Sequence, residues 1–288
     1  MCKTSVALGS FDGLHPGHQS VLSSALSLAG DGVTPVALLF DVHPLAVLRG
    51  AAPPLLLTDA QRDATLRAMG FDIHTVSFAA VHDMAPEAFF AQVLCGQMRA
   101  DALSCGYNYR FGRDGRGDVG LLRRLCAESG MRLHVSEPVL FEGEPISSTR
   151  IRMAVEEGDM QTAQALLGRP FSVAGEVIHG SENGRMLGYP TANQALPAGL
   201  VAPRFGVYAS HLFWQGRRYD AVTNIGVRPT LPDDIPGAET HILDMQTDLY
   251  GQQIEVFLDR FLRPERKFGS LREVFDQVAQ DVREAYRR

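Results

Sequence analysis

Residues 9–18 read Gly9-Ser10-Phe11-Asp12-Gly13-Leu14-His15-Pro16-Gly17-His18, and they lie between a short apolar run and a segment with helical character. Pro16 suits the first turn of a helix, because its missing N–H would have no partner there. Two histidines three residues apart at a helix N-terminus can both face an anion, beside free backbone N–H groups and the positive end of the helix dipole. The stretch therefore predicts an anion site at a strand–helix junction, with a triphosphate as the natural ligand. The alternative, that both histidines are surface or capping residues, is disfavoured by this strand–helix context.

Short apolar runs alternate with helix-like segments through the first half of the chain. The predicted strands are Thr4–Leu8, Val33–Phe40, Ile73–Ser77, Ala102–Cys105 and Leu133–Val135. The predicted helices lie near residues 17–29, 59–69, 86–98 and 118–130. This alternation predicts a parallel, Rossmann-like sheet covered on both faces, in an α/β domain that binds ligands beyond the carboxyl ends of its strands.

The pattern changes near Gly168-Arg169-Pro170. Before this point, Arg150–Leu167 predicts one or two helices. After it, the predicted strands are Phe171–His179, Val207–Phe213, Tyr219–Ile225, Thr240–Met245 and Ile254–Phe261. Turn-forming residues separate these runs, which is typical of an antiparallel β-barrel domain. A terminal helix follows, with Ser270 and Glu273 in capping-box spacing. We therefore expect an α/β domain over residues 1–168 and a β-barrel domain over residues 169–288.

A second polar cluster, Ile146-Ser147-Ser148-Thr149-Arg150-Ile151-Arg152, follows the last predicted strand of the first domain. Hydroxyls and arginines at a helix start can hold phosphate oxygens. A plain N-cap with solvated arginines is the alternative, and it would be preferred for this cluster alone. H-x-G-H after the first strand together with S-S-T-x-x-R after the last strand resembles the nucleotidyltransferase superfamily.

Further segments extend this resemblance to the FMN adenylyltransferase module of bacterial FAD synthetases. They are Phe40-Asp41-Val42-His43-Pro44, Leu57-Thr58, Gly106-Tyr107-Asn108-Tyr109-Arg110-Phe111-Gly112 and Gly117-Asp118. Val42 departs from the family pattern, which more often has proline there. The resemblance implies an ATP site made by Gly9, Phe11, Asp12, His15, His18, Ser148, Thr149 and Arg152. It also implies that His15 and His18 serve catalysis and that Asn108 contacts the flavin substrate or the transferred phosphate. For His43 a structural role and a substrate role stay equally open.

The second half contains Gly188-Tyr189-Pro190-Thr191-Ala192-Asn193, which we expect in a long loop. Glycines let a loop wrap phosphates through backbone N–H groups. A threonine hydroxyl and an asparagine carbonyl oxygen are hard ligands that suit Mg²⁺. The alternative is a Pro-Thr turn in which the asparagine side chain caps its own backbone.

This motif stands in a series that resembles riboflavin kinase from end to end. The other members are Leu167–Phe171, Gly206–Tyr208, Asn224–Thr230, Glu239–Leu243, Asp248–Gly251 and Leu262–Phe268. The resemblance implies that Thr191 and Asn193 bind Mg²⁺ and ATP, and that Gly180 and Gly188 also contact ATP. It implies flavin contacts from Gly226, Arg228 and Glu239, with Glu239 as the general base. The whole chain thus resembles the bifunctional riboflavin kinase/FMN adenylyltransferase family, whose substrates and products are ATP, riboflavin, FMN and FAD.

Composition excludes several other classes of protein. The 288 residues have a formal net charge of −6 and scattered arginines, which argues against nucleic-acid binding. The sequence has neither the apolar run of a signal peptide nor that of a membrane span, so we expect a cytoplasmic protein. The four cysteines form no C-x-x-C pair, and buried reduced thiols are expected. Lysine occurs only at Lys3 and Lys267, neither after a G-x-x-x-x-G loop, so a Walker P-loop is absent from the sequence. Homo-oligomer formation stays open.

Two alternative functions remain at this stage. The first domain could transfer a nucleotide to another small molecule, since a fold does not fix the acceptor. The attached kinase-like domain argues for FMN as acceptor. A flavin sensor or carrier without catalysis is the second alternative, and it would be expected to lack Glu239, Thr191 or the histidine pair, all of which are present.

Overall fold

A computed structural model describes residues 3–30, 32–179, 191–227, 235–245, 247–266 and 268–286. Three residues expected in the sites, Gly180, Gly188 and Arg228, lie outside these ranges. The chain divides into two compact units, Met1–Ser148 and Thr149–Arg288.

The described part of the first unit contains a parallel five-stranded sheet. Its strands are β1 (Lys3–Leu8), β2 (Val33–Phe40), β3 (Asp72–Val76), β4 (Ala100–Gly106) and β5 (Arg132–Ser136). They lie in the order β3-β2-β1-β4-β5, so the chain reverses its direction across the sheet between β1 and β4. The predicted α/β fold class is confirmed, and the reversal marks the place where such sheets bind ligands.

Helices cover both faces of this sheet. They are α1 (Pro16–Leu28), α2 (Pro44–Arg49), α3 (Asp59–Ala68), α4 (Phe78–Val81), α5 (Pro86–Phe89), a π-helix (Phe90–Gln97), a 3₁₀ turn (Arg113–Gly115) and α6 (Val119–Ser129). A hairpin of β6 (Leu140–Phe141) and β7 (Glu144–Pro145) follows β5. The four predicted helices are present, although the third is an α-helical turn that continues as the π-helix. Helices α2 and α4 and the hairpin were not predicted, because each spans too few residues to show a hydrophobic period.

Apolar side chains fill both sides of the sheet, as a fully covered parallel sheet requires. On one side Val21 and Leu22 of α1 pack with Ala7 and Ala37. On the other side the π-helix and α6 enclose residues such as Leu103. The cysteines Cys105 and Cys126 are buried in this second cluster, and burial raises the pKa of the Cys105 thiol to about 12. Such thiols stay protonated and unreactive at neutral pH.

The second unit is built on an antiparallel sheet that is six-stranded in its described residues. The elements are α7 (Ser148–Glu157), which begins at the last residue of the first unit, α8 (Met160–Leu167), β8 (Phe171–Glu176), β9 (Thr191–Ala195), β10 (Gly206–Trp214), β11 (Arg217–Val227), β12 (Pro236–Ile242), β13 (Gln253–Arg263) and α9 (Leu271–Ala285). The strand order is β8-β13-β10-β11-β12-β9. Beyond β8, the N–H of Ile178 donates to the carbonyl of Asn193 in β9 at 2.8 Å, which curls the sheet toward a barrel. The predicted antiparallel domain is confirmed.

Two local predictions for this unit were wrong. Thr191 and Asn193, expected in a loop, lie in strand β9. The buried positions of this strand are Ala192 and Gln194, and the side-chain amide of Gln194 donates to the carbonyls of Gly175 and Ile254. This strand therefore buries a polar residue and has no apolar alternation to reveal it. The strand expected over residues 240–245 covers Pro236–Ile242 instead.

A row of hydroxyls crosses the buried face of the barrel-like sheet. Ser210 and Thr223 share a hydrogen bond of 2.7 Å, and Thr223 and Thr240 share one of 3.0 Å. All three residues are fully buried, and Ser210 also donates to the carbonyl of Ala221. The hydroxyls satisfy one another, so the polar row is compatible with burial.

The terminal helix α9 packs on the sheet through polar anchors. One half of its predicted capping box forms, since the N–H of Glu273 donates to Ser270 Oγ at 3.3 Å. The Glu273 carboxylate accepts a hydrogen bond from the N–H of Gly269 at 3.2 Å. The guanidinium of Arg263 in β13 donates to both carboxylate oxygens of the buried Asp281, at 2.8 and 2.7 Å. The hydroxyl of Tyr286 contacts the carbonyls of two barrel strands. These bonds fix the helix against β10, β11 and β13.

Helix α8 is part of the core of the second unit. Its residues Met160, Ala163, Leu166 and Leu167 are buried, and the helix packs against β8 and β13. A Gly168 cap in the left-handed conformation then turns the chain into β8.

Leu166→Ala should destabilise the second unit by about 2–5 kcal/mol, because it removes a fully buried side chain from this packing. The effect is measured by denaturant unfolding, monitored through the activity of the second unit. Gln164→Ala, at an exposed position of the same helix, is the matched control and should change the midpoint little. Equal effects of the two substitutions would contradict the assignment of α8 to this core.

Candidate active sites

The start of α1 organises the candidate site of the first unit. His15 is the N-cap, with extended backbone angles, and its Nδ1 accepts a hydrogen bond from the N–H of His18 at 3.4 Å. Pro16 takes the first helical position, as predicted. Because Nδ1 of His15 is an acceptor, a neutral His15 carries its proton on Nε2.

The two imidazole rings are stacked. The ring centroids of His15 and His18 lie 3.7 Å apart with 20° between the planes. Burial lowers the pKa of His15 to about 4. Burial, and next the charge of His15, hold the pKa of His18 well below its usual range. Both rings are therefore neutral at pH 7, and each offers an N–H donor rather than a positive charge.

The ring of Phe11 packs against the ring of His18. Phe11 is fully buried, with a backbone φ of 54°, and its ring meets the ring of His18 edge-on at 5.6 Å. A Cβ at Gly9 would come within 3.1 Å of the Phe11 ring, and a Cβ at Gly17 within 3.1 Å of the His15 ring. The two glycines thus make room for the three rings. A left-handed conformation at a non-glycine residue costs about 1–3 kcal/mol and is typical of functional sites.

Asp12 connects the histidine motif with two other segments. Its Oδ1 accepts a hydrogen bond from the N–H of Leu56 at 2.8 Å, and its backbone carbonyl accepts one from Ser148 Oγ at 2.9 Å. The structure therefore brings the second serine of the S-S-T-x-x-R motif, Ser148, to the histidine motif. Thr149 and Arg152 follow in α7, within the second compact unit.

A cavity of about 540 Å³ opens at the carboxyl ends of the strands of the first unit. In its middle, after β1, lie Gly9, His15 and His18. The β2–β3 side contributes an apolar wall of Phe40, Leu48, Phe78 and Val81. The β4–β5 side contributes Tyr107, Asn108, Ser136, Val139 and Ile146. The middle is therefore suited to phosphates, with room for a flat ring on either side.

Some predicted residues line this cavity and others do not. Asn108 lines it, while its contact with the flavin or the transferred phosphate stays a prediction. His43 caps α2, and its Nδ1 accepts a hydrogen bond from the N–H of Leu45 at 3.1 Å, which gives it a structural role. Ser136 and His82 line the cavity but were not predicted. The position of Ser136 at the carboxyl end of β5 is the signal that could have identified it.

The candidate site of the second unit lies across three neighbouring strands. The register pairs Asn193 of β9 with Glu239 of β12, and Glu239 with Asn224 of β11. Thr191 Oγ1 donates to Glu239 Oε1 at 3.1 Å. Because side chains alternate along a strand, Thr191 and Asn193 share the less buried face of the sheet. The structure therefore brings together the residues that the sequence assigned to metal, phosphate and proton transfer.

Two glycines lie close to the set of Asn193, Glu239 and Asn224. Gly226 of β11 pairs with Gly237 of β12, two residues along the strands from the Asn224–Glu239 pair and on the same face. The carboxylate of Glu265, which follows β13, lies against Gly226 where a Cβ would stand. The glycine at residue 226 thus leaves room for the Glu265 carboxylate, which any larger residue would displace.

Enzymes with α/β folds commonly bind nucleotides at the carboxyl ends of a parallel sheet. The cavity at this position and the histidine pair at the start of α1 are features of that class of enzyme. A family model described as FAD synthetase matches residues 1–150, and one described as riboflavin kinase matches residues 167–288. A bifunctional riboflavin kinase/FMN adenylyltransferase from Bacillus subtilis is 33% identical, over 99% of this chain and 92% of that protein. The protein of the same name from Escherichia coli is 34% identical, over 96% of this chain and 90% of its own length.

A crystal structure from Streptococcus pneumoniae, described as a macrolide-efflux protein, has the same fold over nearly the full length. Its TM-score is 0.87 at 30% identity, with 99% of this chain and 93% of that one covered. The chain belongs to the bifunctional riboflavin kinase/FMN adenylyltransferase family. The predictions of the family, of an enzyme with both activities, and of the order of the two domains are confirmed.

Phe11→Leu should lower kcat/KM of the first unit by about tenfold to a hundredfold, because the ring of His18 loses its support and shifts within the site. Phe71→Leu is the matched control, since Phe71 is buried in the same core cluster. The activity of the second unit, measured in the same preparation, should stay unchanged. If both substitutions lower kcat/KM equally, Phe11 acts only through core packing.

Proposed function

We propose that the two units perform successive steps, each at the site described for it. The second unit phosphorylates riboflavin to FMN with ATP, and the first unit adenylylates FMN to FAD with release of pyrophosphate. The observation that supports this best is the presence, on one chain, of two separate sets of phosphate-handling residues. One set is centred on the stacked histidines and the other on the Thr191–Glu239 pair.

In the first unit, a phosphate oxygen of FMN attacks the α-phosphorus of ATP. The bond between this phosphorus and the bridging oxygen of pyrophosphate breaks. His15 and His18 donate N–H groups to phosphate oxygens at the helix N-terminus, where negative charge builds up during the transfer. Gly9, Phe11, Asp12 and Ser148 shape this site, and Thr149 and Arg152 complete the proposed set. The residues position and stabilise the reactants, and no covalent intermediate is needed.

In the second unit, the ribityl 5′-hydroxyl of riboflavin attacks the γ-phosphorus of ATP, and ADP leaves. Glu239 accepts the proton of the attacking hydroxyl. The hydroxyl of Thr191 orients the Glu239 carboxylate through the bond at 3.1 Å. We keep Gly226 as a proposed flavin contact, next to the Glu265 carboxylate that packs on it. Gly180, Gly188 and Arg228 stay proposed ligands outside the described residues.

We propose Mg²⁺ as the cation of the second site. Thr191, Asn193 and Glu239 present oxygen atoms on one face of neighbouring strands, which is the donor type that Mg²⁺ prefers. Thr191 and Asn193 would hold the ion together with ATP phosphates. When bound, the ion would neutralise phosphate charge during transfer.

We keep the domain boundary near residue 168 in the sense of the family models, which match residues 1–150 and 167–288. The compact units divide after Ser148, and α8 packs with the second unit. We place the enzyme in the cytoplasm, where buried thiols such as Cys105 and Cys126 stay reduced. We propose small molecules as its partners and no nucleic acid, given the net charge of −6. Across the described ranges, no helix combines the length and apolar character needed to span a bilayer.

His18→Ala should reduce FAD formation from FMN at least a hundredfold and leave FMN formation from riboflavin intact. Glu239→Gln should do the reverse, since the general base is lost while the shape of the side chain is kept. Chromatographic product assays, run separately with riboflavin and with FMN, measure both activities. Loss of both activities in either variant would argue against two independent sites.

A further inference from the structure

Three serines are buried in the strands of the parallel sheet. Ser5 in β1 and Ser104 in β4 are fully buried, and Ser136 at the end of β5 is 2% exposed. Ser5 Oγ donates to the carbonyl of Ala25 at 2.7 Å, and Ser104 Oγ donates to that of Val21 at 2.8 Å. Both bonds join the sheet to α1, so Ser5 and Ser104 have a structural role.

Ser136 differs from the other two. Its Oγ is buried and has no hydrogen-bond partner among the described residues. A buried hydroxyl without a partner costs about 1–3 kcal/mol, so such a group needs an explanation in a folded protein. Ser136 also lines the cavity at the strand ends, which Ser5 and Ser104 do not. A serine hydroxyl moves between staggered positions about χ1, so a ligand in the cavity can engage it.

The position of Ser136 along the sheet indicates which part of the reactants it meets. The histidines lie after the central strand β1, and Ser136 lies after the edge strand β5. The opposite side, after β2 and β3, has the aromatic wall of Phe40 and Phe78, whereas the side after β4 and β5 combines aromatic residues such as Tyr107 with the polar Asn108 and Ser136. An apolar tricyclic flavin ring fits the aromatic wall. A nucleoside, with ring nitrogens and ribose hydroxyls, fits the side that offers a hydroxyl.

We propose that Ser136 is a nucleotide-binding residue of the first unit, and that its hydroxyl exchanges a hydrogen bond with the nucleoside of ATP. This inference rests on the proposed adenylylation site. Ser136 supplies an interaction away from the phosphates, so it affects nucleotide binding more than the transfer step.

The test compares Ser136→Ala with Ser5→Ala in the full-length protein. For Ser136→Ala the KM for ATP in FMN adenylylation should rise about five- to twentyfold, with the KM for FMN unchanged. The thermal unfolding midpoint of the first unit, measured in the full-length protein without ligand, should stay the same or rise, because a buried hydroxyl without a partner is removed. For Ser5→Ala the midpoint should fall and both KM values should stay unchanged, because an internal bond is lost.

Several results would overturn the assignment of Ser136. An unchanged KM for ATP, a rise confined to the KM for FMN, or a loss of thermal stability like that of Ser5→Ala would each do so. The proposed function is tested apart from this, since its failure would appear as absence of FAD formation by the unsubstituted protein. If both variants still form FAD, the proposed function holds, and the KM for ATP then decides the role of Ser136.

Discussion

The burial of two neutral imidazoles side by side at the start of α1 is the constraint on which the first site depends. A charged ring would have to give up its hydration, and a second charge 3.7 Å from the first ring would add repulsion. The surroundings therefore hold both rings neutral, with the fully buried Phe11 ring against His18. Neutral rings act on phosphates as aligned N–H donors, which is the preorganised stabilisation that phosphoryl chemistry needs. The left-handed backbone of Phe11 is the local cost of this arrangement.

The second site depends on strand register rather than on a helix start. Because Asn193, Glu239 and Asn224 are directly opposed on three antiparallel strands, their side chains share one face without any loop having to position them. The buried hydroxyls of Ser210, Thr223 and Thr240 satisfy one another on the other face. We thus propose two unrelated ways of binding phosphate in one chain, and the sequence has no Walker loop for either.

Much of the fold was predictable from sequence, because its strands are continuous apolar runs and its helices have capping signals. Thr58 and Gln61, with capping-box spacing in the sequence, form such a cap at the start of α3. Strand β9 was not predicted, because its buried face includes the polar Gln194. The side-chain amide of Gln194 donates its hydrogen bonds to carbonyls that are distant in sequence. The histidines were identified by spacing, whereas Ser136 was missed since the lack of a partner is a property of the folded chain. The support that Phe11 gives to His18 also depends on tertiary geometry, which single-sequence patterns do not contain.

The protonation state of the histidine pair is the most direct test of this account. Imidazole ¹⁵N NMR of the ligand-free, full-length protein between about pH 3 and pH 8 reports it, with His15→Gln and His18→Gln spectra assigning the signals. A lowered pKa means that the proton leaves at lower pH than in an ordinary histidine, so both rings should be neutral at pH 7. The account predicts a midpoint of about 4 for His15 and one well below 6.5 for His18. A midpoint at or above 6.5 for either ring would contradict it.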